Sequence, residues 1–183
     1  MITPAELPQI ETAQLSGERA DLLDRLGMQR TLFRYTAQGL TDEQATSAPT
    51  VSALSIGGLI KHVAYVEKRW ANFIVEGAPS MAHGPDGFSE AAVRDHTNSF
   101  VLLPGETLAG VLDEYTAIAE RTDELIRTTD LDASQELPKA PWFPPNARWT
   151  ARRTLLHILA ETAQHAGHAD IVREAIDGQK SMG

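Results

Sequence analysis

The chain has no cysteine among its 183 residues. This absence excludes disulfides, cysteine-ligated zinc and a cysteine nucleophile, so any thiol chemistry must use a thiol brought from outside. It also suits a reducing compartment. No apolar run approaches the roughly 20 residues of a membrane span, and the N-terminus lacks the basic start and apolar run of a signal peptide. We therefore expect a cytoplasmic protein without a membrane partner.

Basic residues are scarce as well. The 16 lysines and arginines are outnumbered by 25 acidic residues, which gives a formal net charge of −9. This balance argues against a general affinity for nucleic acid or anionic membranes, because both require clustered cations. The sequence has no convincing phosphate-binding glycine loop, nucleophile elbow or glycosidase carboxylate pair. Length and a hydrophobic content of 42% predict one domain spanning residues 1–183.

Helical periodicity dominates the chain, and no strand or repeat is convincing. Glycines and prolines interrupt residues 77–105, where only a short helix near 89–98 is expected, and prolines make 138–145 a rigid aromatic loop. An all-α four-helix bundle with long connecting loops is therefore predicted, and such bundles build metal sites from facing helices. The expected core helices follow an N-terminal arm at 1–15 and span about 16–39, 55–76, 106–129 and 150–177.

Two helices carry further signals. Gly57 and Gly58 in the first turn of helix two cost about 1 kcal/mol each relative to alanine, which predicts close backbone packing there. Helix four has apolar residues on most sides, so we expect much of its circumference to be buried. These apolar residues are Leu155, Leu156, Ile158, Leu159, Ala163, Ala166, Ala169 and Ile171.

Helix four also carries the densest group of chemistry-bearing side chains. His157, Glu161, His165 and His168 recur at offsets of 0, 4, 8 and 11 and share an arc of roughly 80°. A carboxylate in apolar surroundings is costly unless it is paired or binds a cation. Glu161 and His165, one turn apart, can coordinate one ion, and His62 on helix two is the natural third ligand.

The other histidines have weaker assignments. His83 and His96 lie in or beside the long connection. His157 is expected behind the ligands or in the core, whereas His168 either lines the pocket or is a fourth ligand. Another interpretation has no metal. In that case these groups are hydrogen-bonded to one another and the bundle acts as an association module.

The predicted ligand set also limits which metal ions can bind. Two histidines and one glutamate form a known catalytic zinc arrangement with an open position, and imidazole suits nickel too. We expect zinc, with nickel as the alternative. A separate cluster, Arg148, Arg152 and Arg153 beside two tryptophans, is either an anion site or a surface patch that stabilises the start of helix four.

Several stretches together resemble the DinB-like superfamily of metal-binding four-helix bundles. Within it, the chain is most similar to a branch catalogued as a domain of unknown function and related to mycothiol-dependent, maleylpyruvate isomerase-like enzymes. The stretches that carry the resemblance are Leu40–Gln44, Ser55–His62, Glu106–Leu108 and Arg153–Ile171.

The resemblance implies a bundle of unusual helix order, with a divalent metal held by His62, Glu161 and His165. Many relatives use three histidines, and Glu161 at the middle position points to the mycothiol-using branch. An external thiol such as mycothiol would then act on a small electrophile in an S-transferase or a thiol-dependent isomerase. His157 or His168 would orient a ligand or move a proton, and a homodimer is implied by analogy.

A rival interpretation is a metal-binding, stress-related bundle without catalysis. The ligands would be the same in both cases. The two differ in whether a pocket beside the metal admits a large thiol and offers basic groups to it.

Overall fold

A computed structural model describes residue 15, residues 17–81 and residues 90–181. The predicted arm at 1–15 lies outside the described residues except for Leu15, and so does His83.

Six α-helices and one short hairpin form the described part of the chain, which confirms the all-α prediction. None of the described helices is long and apolar enough to cross a membrane. The helices are α1 Glu18–Tyr35, α2 Asp42–Thr46, α3 Ile56–Glu76, α4 Glu90–Ser99, α5 Leu108–Thr128 and α6 Ala151–Asp177, with a 3₁₀ turn at Ala78–Met81 after α3.

The four long helices, α1, α3, α5 and α6, form the bundle. Helix α3 packs against α5 and α6, and α1 packs against α6 and, less extensively, α5. Consecutive long helices α1 and α3 therefore lie diagonally, with α6 between them. One apolar cluster centres on Phe33, Ile60 and Tyr115, and a second on Phe73 and Ile158. Because α3 and α6 contribute to both clusters, a site between these two helices has a firmly packed support.

Hydroxyl side chains set where the site-bearing helices begin. Ser55 accepts a hydrogen bond from the Gly58 amide at the start of α3, and Thr150 accepts one from the Arg153 amide at the start of α6. Each satisfies an amide that has no partner within its helix. Helix α1 is shorter than predicted, because Thr36 to Gly39 form turns that end with Gly39 at a φ of 75°.

A short antiparallel hairpin is the element that the sequence analysis missed. Strand β1 (Ser134–Glu136) pairs with β2 (Arg148–Thr150), with Gln135 opposite Trp149. Each strand has three residues, too few to show a period-two pattern. The hairpin closes the predicted proline-rich loop and brings it back to α6.

The expectation that much of the α6 circumference is buried is confirmed on the sides that meet α1 and α3, but one face is exposed. Leu156 is 49% exposed and Ile171 is 63% exposed, and Ala163 is exposed between them. The bundle covers α6 only on the sides that meet α1 and α3.

Candidate metal centre

The three predicted ligands come together in the structure. His62 projects from α3, and Glu161 and His165 project from consecutive turns of α6. One ligand atom from each residue lies within 4.8 Å of the other two. Both histidines are buried and Glu161 is half-buried. The arrangement follows from the packing of α3 against α6, which the sequence pattern did not specify.

The hydrogen bond behind His62 fixes which of its nitrogens faces the site. The Ser99 hydroxyl donates to the His96 carbonyl at 2.6 Å, and its oxygen lies 2.9 Å from His62 Nδ1. A hydroxyl has one hydrogen, so Ser99 must accept from Nδ1–H. The lone pair of His62 is therefore on Nε2, the tautomer that a metal ligand requires.

A close contact between α3 and the end of α4 makes this hydrogen bond possible. A Cβ on Gly58 would lie 1.9 Å from the Phe100 carbonyl oxygen, so only glycine permits the approach. This confirms the close packing predicted from Gly57 and Gly58. Phe100 then stacks on His62 with ring centroids 3.7 Å apart, and Ser99 is placed behind the imidazole.

The protonation states suit a cation. Burial, with His165 and His96 nearby, lowers the pKa of His62 to about 4, so the imidazole is neutral at neutral pH. The proximity of His165 lowers the pKa of Glu161, whose Oε2 lies 3.6 Å from His165 Nε2. The set thus offers a neutral imidazole and a carboxylate without first losing a proton.

His157 and His168 occupy different places. His157 Nε2 lies 3.8 Å from Glu161 Oε1, and its ring packs edge-on against Trp70 and Trp149. His157 also lines the cavity beside the site, and burial lowers its pKa.

His168 lies on the other side of His165. Its Nδ1 is 3.4 Å from His165 Nδ1, a contact that orients the ring of His165 from behind. His168 belongs neither to the three-residue group nor to the cavity lining.

Sequence reasoning gave His96 no role, yet the structure places it beside the site. Its ring lies 5.6 Å from the His62 ring and lines the same cavity, and the side chain is exposed. The sequence held only a partial signal, because Gly57 and Gly58 predicted a close neighbour but did not identify the short helix near 89–98 as that neighbour.

A cavity of about 380 Å³ opens onto His62, Glu161 and His157. Its far wall is the proline-rich loop closed by the hairpin, which contributes Trp142 and Phe143 and was predicted only as a rigid connection. The cavity is of the size that takes a small organic molecule.

Two cationic side chains also line the cavity. Arg69 donates to the Tyr65 hydroxyl at 2.5 Å and to the Met81 carbonyl at 2.9 Å, while its buried Nε has no acceptor within the described part of the chain. Lys139 lies in the loop wall. The cavity wall thus contains two basic side chains.

The arginines at the start of α6 are better explained as a surface patch. Arg152 pairs with Glu18 and Asp132, and Arg153 stacks over the Trp149 ring at 4.7 Å. Their guanidinium groups tie α1, the hairpin and α6 together, as the surface interpretation predicted.

Taken together, fold and site define a helical bundle with a largely buried cluster of two histidines and one glutamate that opens onto a cavity. The chain belongs to the mycothiol-S-transferase family, whose model matches residues 21–178. This confirms the resemblance to DinB-like bundles.

One solved structure shows how far the fold extends beyond sequence similarity. A conserved protein of a locus from Enterococcus faecalis superposes with a TM-score of 0.66 at 13% identity, covering 90% of this chain and 99% of its own. At that identity the likeness concerns the fold alone. A comparison with curated proteins finds no match.

Proposed function

We propose that the protein conjugates mycothiol, through its sulfur, to a small electrophile, using a divalent metal held by His62, Glu161 and His165. The observation that carries the proposal is the cavity: it opens directly onto two of these ligands and contains Arg69 and Lys139. The family to which the chain belongs supports the identity of the thiol.

The donor set fits the proposed metal. One imidazole nitrogen from each histidine and one carboxylate oxygen of Glu161 lie close together. The hydrogen-bonded tautomer of His62 leaves its Nε2 free to bind a metal. Two histidines and one glutamate form a known zinc-binding set, and nickel is the alternative. A divalent cation at this site would hold a coordinating thiol as the thiolate.

The protein's own residues supply the remaining steps. His157, neutral because burial lowers its pKa, is positioned to take the proton released from the thiol. Arg69 and Lys139 bind polar groups of the thiol, and the aromatic wall holds the electrophile. The S–H proton leaves, an S–C bond forms, and the bond to the leaving group breaks with its electron pair, so that the group departs as an anion.

The rival is a bundle that binds metal without catalysis. The cavity favours the transferase, because a storage or carrier site needs no aromatic and basic chamber beside its ligands. The family match likewise favours transfer over thiol-dependent isomerisation.

Metal content and transfer should be measured on the same samples. We expect about one equivalent of zinc or nickel in the purified protein, loss of it in His62→Ala and Glu161→Ala, and retention in Glu120→Gln, an exposed carboxylate on α5. Conjugation of mycothiol to a haloalkyl reporter should follow metal content. One equivalent of metal without any conjugation across a panel of electrophiles would favour the non-catalytic rival, and absence of metal after incubation with zinc and nickel would overturn the site.

A further inference from the structure

A second cavity lies between α1 and α5, away from the metal centre. Its volume is about 810 Å³, and none of the residues that line it lines the cavity beside the metal ligands. Helix α1 packs less extensively against α5 than against α6, and the gap that results is named here the α1–α5 groove. It runs along residues 31–39 of one side and 108–116 of the other, and its size suits a small organic molecule.

The α1–α5 groove contains an arginine without an ion pair. Arg34 is half-buried in its wall, and Nη1 donates to the Thr116 hydroxyl at 2.8 Å. The guanidinium carbon lies 4.8 Å from the centre of the Tyr115 ring. No carboxylate in the described part of the chain pairs with this guanidinium, and burial lowers its pKa.

Arg30, one turn earlier on α1, shows what a buried guanidinium ordinarily requires. It donates hydrogen bonds to two carboxylates, those of Glu67 and Asp123. A charge removed from water is costly unless it is paired. Arg34 has no such partner among the described residues, so a ligand that brings an anionic group into the groove would supply the missing half of an ion pair.

The free side of the Arg34 guanidinium indicates which anionic group fits. Nε and Nη2 have no acceptor among the described residues, and neither belongs to the buried atoms without partners, so both are accessible from the groove. These two donors form the side of a guanidinium that binds both oxygens of a carboxylate. Because Thr116 and the Tyr115 ring already hold the group, little conformational freedom is lost on binding.

The rest of the groove limits the ligand to one negative charge. Two exposed carboxylates, Asp42 and Asp113, also line the groove in a protein of net charge −9, and they would repel a second anionic group. The remaining surface has an apolar part that suits a hydrocarbon body. Its residues are Ala37, Leu40, Leu108 and Leu112.

We propose that the α1–α5 groove binds a small monocarboxylic acid. The carboxylate accepts hydrogen bonds from Nε and Nη2 of Arg34, and the hydrocarbon body lies on the apolar part of the groove. This site shares no residue with the metal centre and is independent of the metal and the thiol.

Nuclear magnetic resonance of nitrogen-15-labelled protein titrated with octanoate tests the site directly. Saturable shifts should appear at the Arg34 Nε–H signal and at the backbone amides of Gln38, Gly39 and Ala109, which line the groove. Octanol has the same body without the charge, and octanedioate carries a second charge. Each should bind about tenfold more weakly than octanoate or worse.

Variants of the guanidinium separate its charge from its geometry. Arg34→Gln removes the charge, whereas Arg34→Lys keeps the charge but lacks the two-donor side, and each should weaken octanoate binding about tenfold or more. Arg25→Gln changes an exposed arginine on the same helix and should bind octanoate as the natural protein does. Asp113→Asn should reduce the preference for octanoate over octanedioate.

Glu161→Ala shows whether octanoate binds at the metal centre instead. This variant lacks a proposed metal ligand and should bind octanoate with unchanged affinity. The absence of saturable binding would overturn the proposal. So would shifts confined to Tyr65, Trp70 and His157 around the other cavity, or natural affinity in Arg34→Lys.

Discussion

At the scale of single residues, the candidate metal centre depends on hydrogen bonds that lie behind the ligands. His62 presents Nε2 to the site because Ser99 accepts from Nδ1, and Ser99 does so because its own hydrogen is given to the His96 carbonyl. Such outer partners fix the tautomer and raise ligand basicity. The affinity for metal should therefore respond to a residue that never touches it.

Ser99→Ala tests this dependence. Without the hydroxyl, Nδ1–H of a buried histidine loses its acceptor, and we expect the metal dissociation constant to rise about 10- to 100-fold with the stoichiometry unchanged at saturation. Competition with a chromogenic chelator measures the constant. Ser47→Ala removes a comparable hydroxyl bond, to the Gln44 carbonyl, and should leave the affinity unaltered. Equal affinities in both variants would contradict the role of Ser99.

A buried ion pair away from the site carries a second residue-scale consequence. Arg30 and Glu67 are 6% and 1% exposed and hydrogen-bond each other, and Asp123 accepts from Arg30 at 2.7 Å. Burial alone would lower the pKa of Arg30, but the two carboxylates raise it overall, so the guanidinium stays charged.

Glu67→Ala should lower the free energy of unfolding by about 3 kcal/mol, because it leaves a buried cation with only Asp123 as its partner. Glu114→Ala removes the exposed partner of Lys68 and should cost less than about 1 kcal/mol. Urea denaturation of both variants measures the difference. A similar small cost for each would show that the buried pair contributes no more than a surface one.

At the scale of elements, the contact between the start of α3 and the end of α4 positions the site. Gly58 allows the Phe100 carbonyl to approach, and this approach brings Phe100 and Ser99 against His62. Helix α4 therefore serves as a support for the metal ligand on α3.

Gly58→Ala should strain this contact. A methyl group cannot occupy a position 1.9 Å from a backbone oxygen, so α4 must move, and we expect a loss of about 2 kcal/mol in the free energy of unfolding together with weaker metal binding. Gly110→Ala is the control: its methyl would meet only the Thr107 side chain, at 3.3 Å, and stability should change by less than about 1 kcal/mol. Unchanged metal affinity in Gly58→Ala would show that α4 does not support the metal site.

The elements also show what the sequence could and could not predict. Periodicity located the four long helices, and i, i+4 spacing paired Glu161 with His165, because both are local properties of one helix. The position of His96, the hairpin and the cavity wall depend on how distant segments dock. The three-residue strands are too short to show a period-two pattern. The exposed face of α6 was predicted to be buried because a sequence pattern shows whether a helix face is apolar but not whether another element packs against it.

At the scale of the whole molecule, the two apolar clusters share α3 and α6 and should not separate on unfolding. We propose that the chain forms one domain, as its length predicts. The three tryptophans, Trp70, Trp142 and Trp149, lie around the cavity or its wall, whereas circular dichroism reports on all helices.

Thermal unfolding followed by tryptophan fluorescence and by circular dichroism should therefore give coincident transitions. Added zinc should raise both midpoints, because ligand that binds only the folded state stabilises it, and should leave those of Glu161→Ala unchanged. A fluorescence transition that precedes the loss of helix would show that the cavity end unfolds separately.

The central claim is that His62, Glu161 and His165 hold a metal that binds the sulfur of mycothiol. The most direct measurement is the near-ultraviolet absorption of cobalt-loaded protein titrated with mycothiol, since cobalt reports thiolate ligation by a charge-transfer band. The band should grow to one equivalent of thiol in the natural protein and be absent from Glu161→Ala treated in the same way. If cobalt is bound and mycothiol is conjugated without any such band, the thiol is not activated at this metal and the account is wrong.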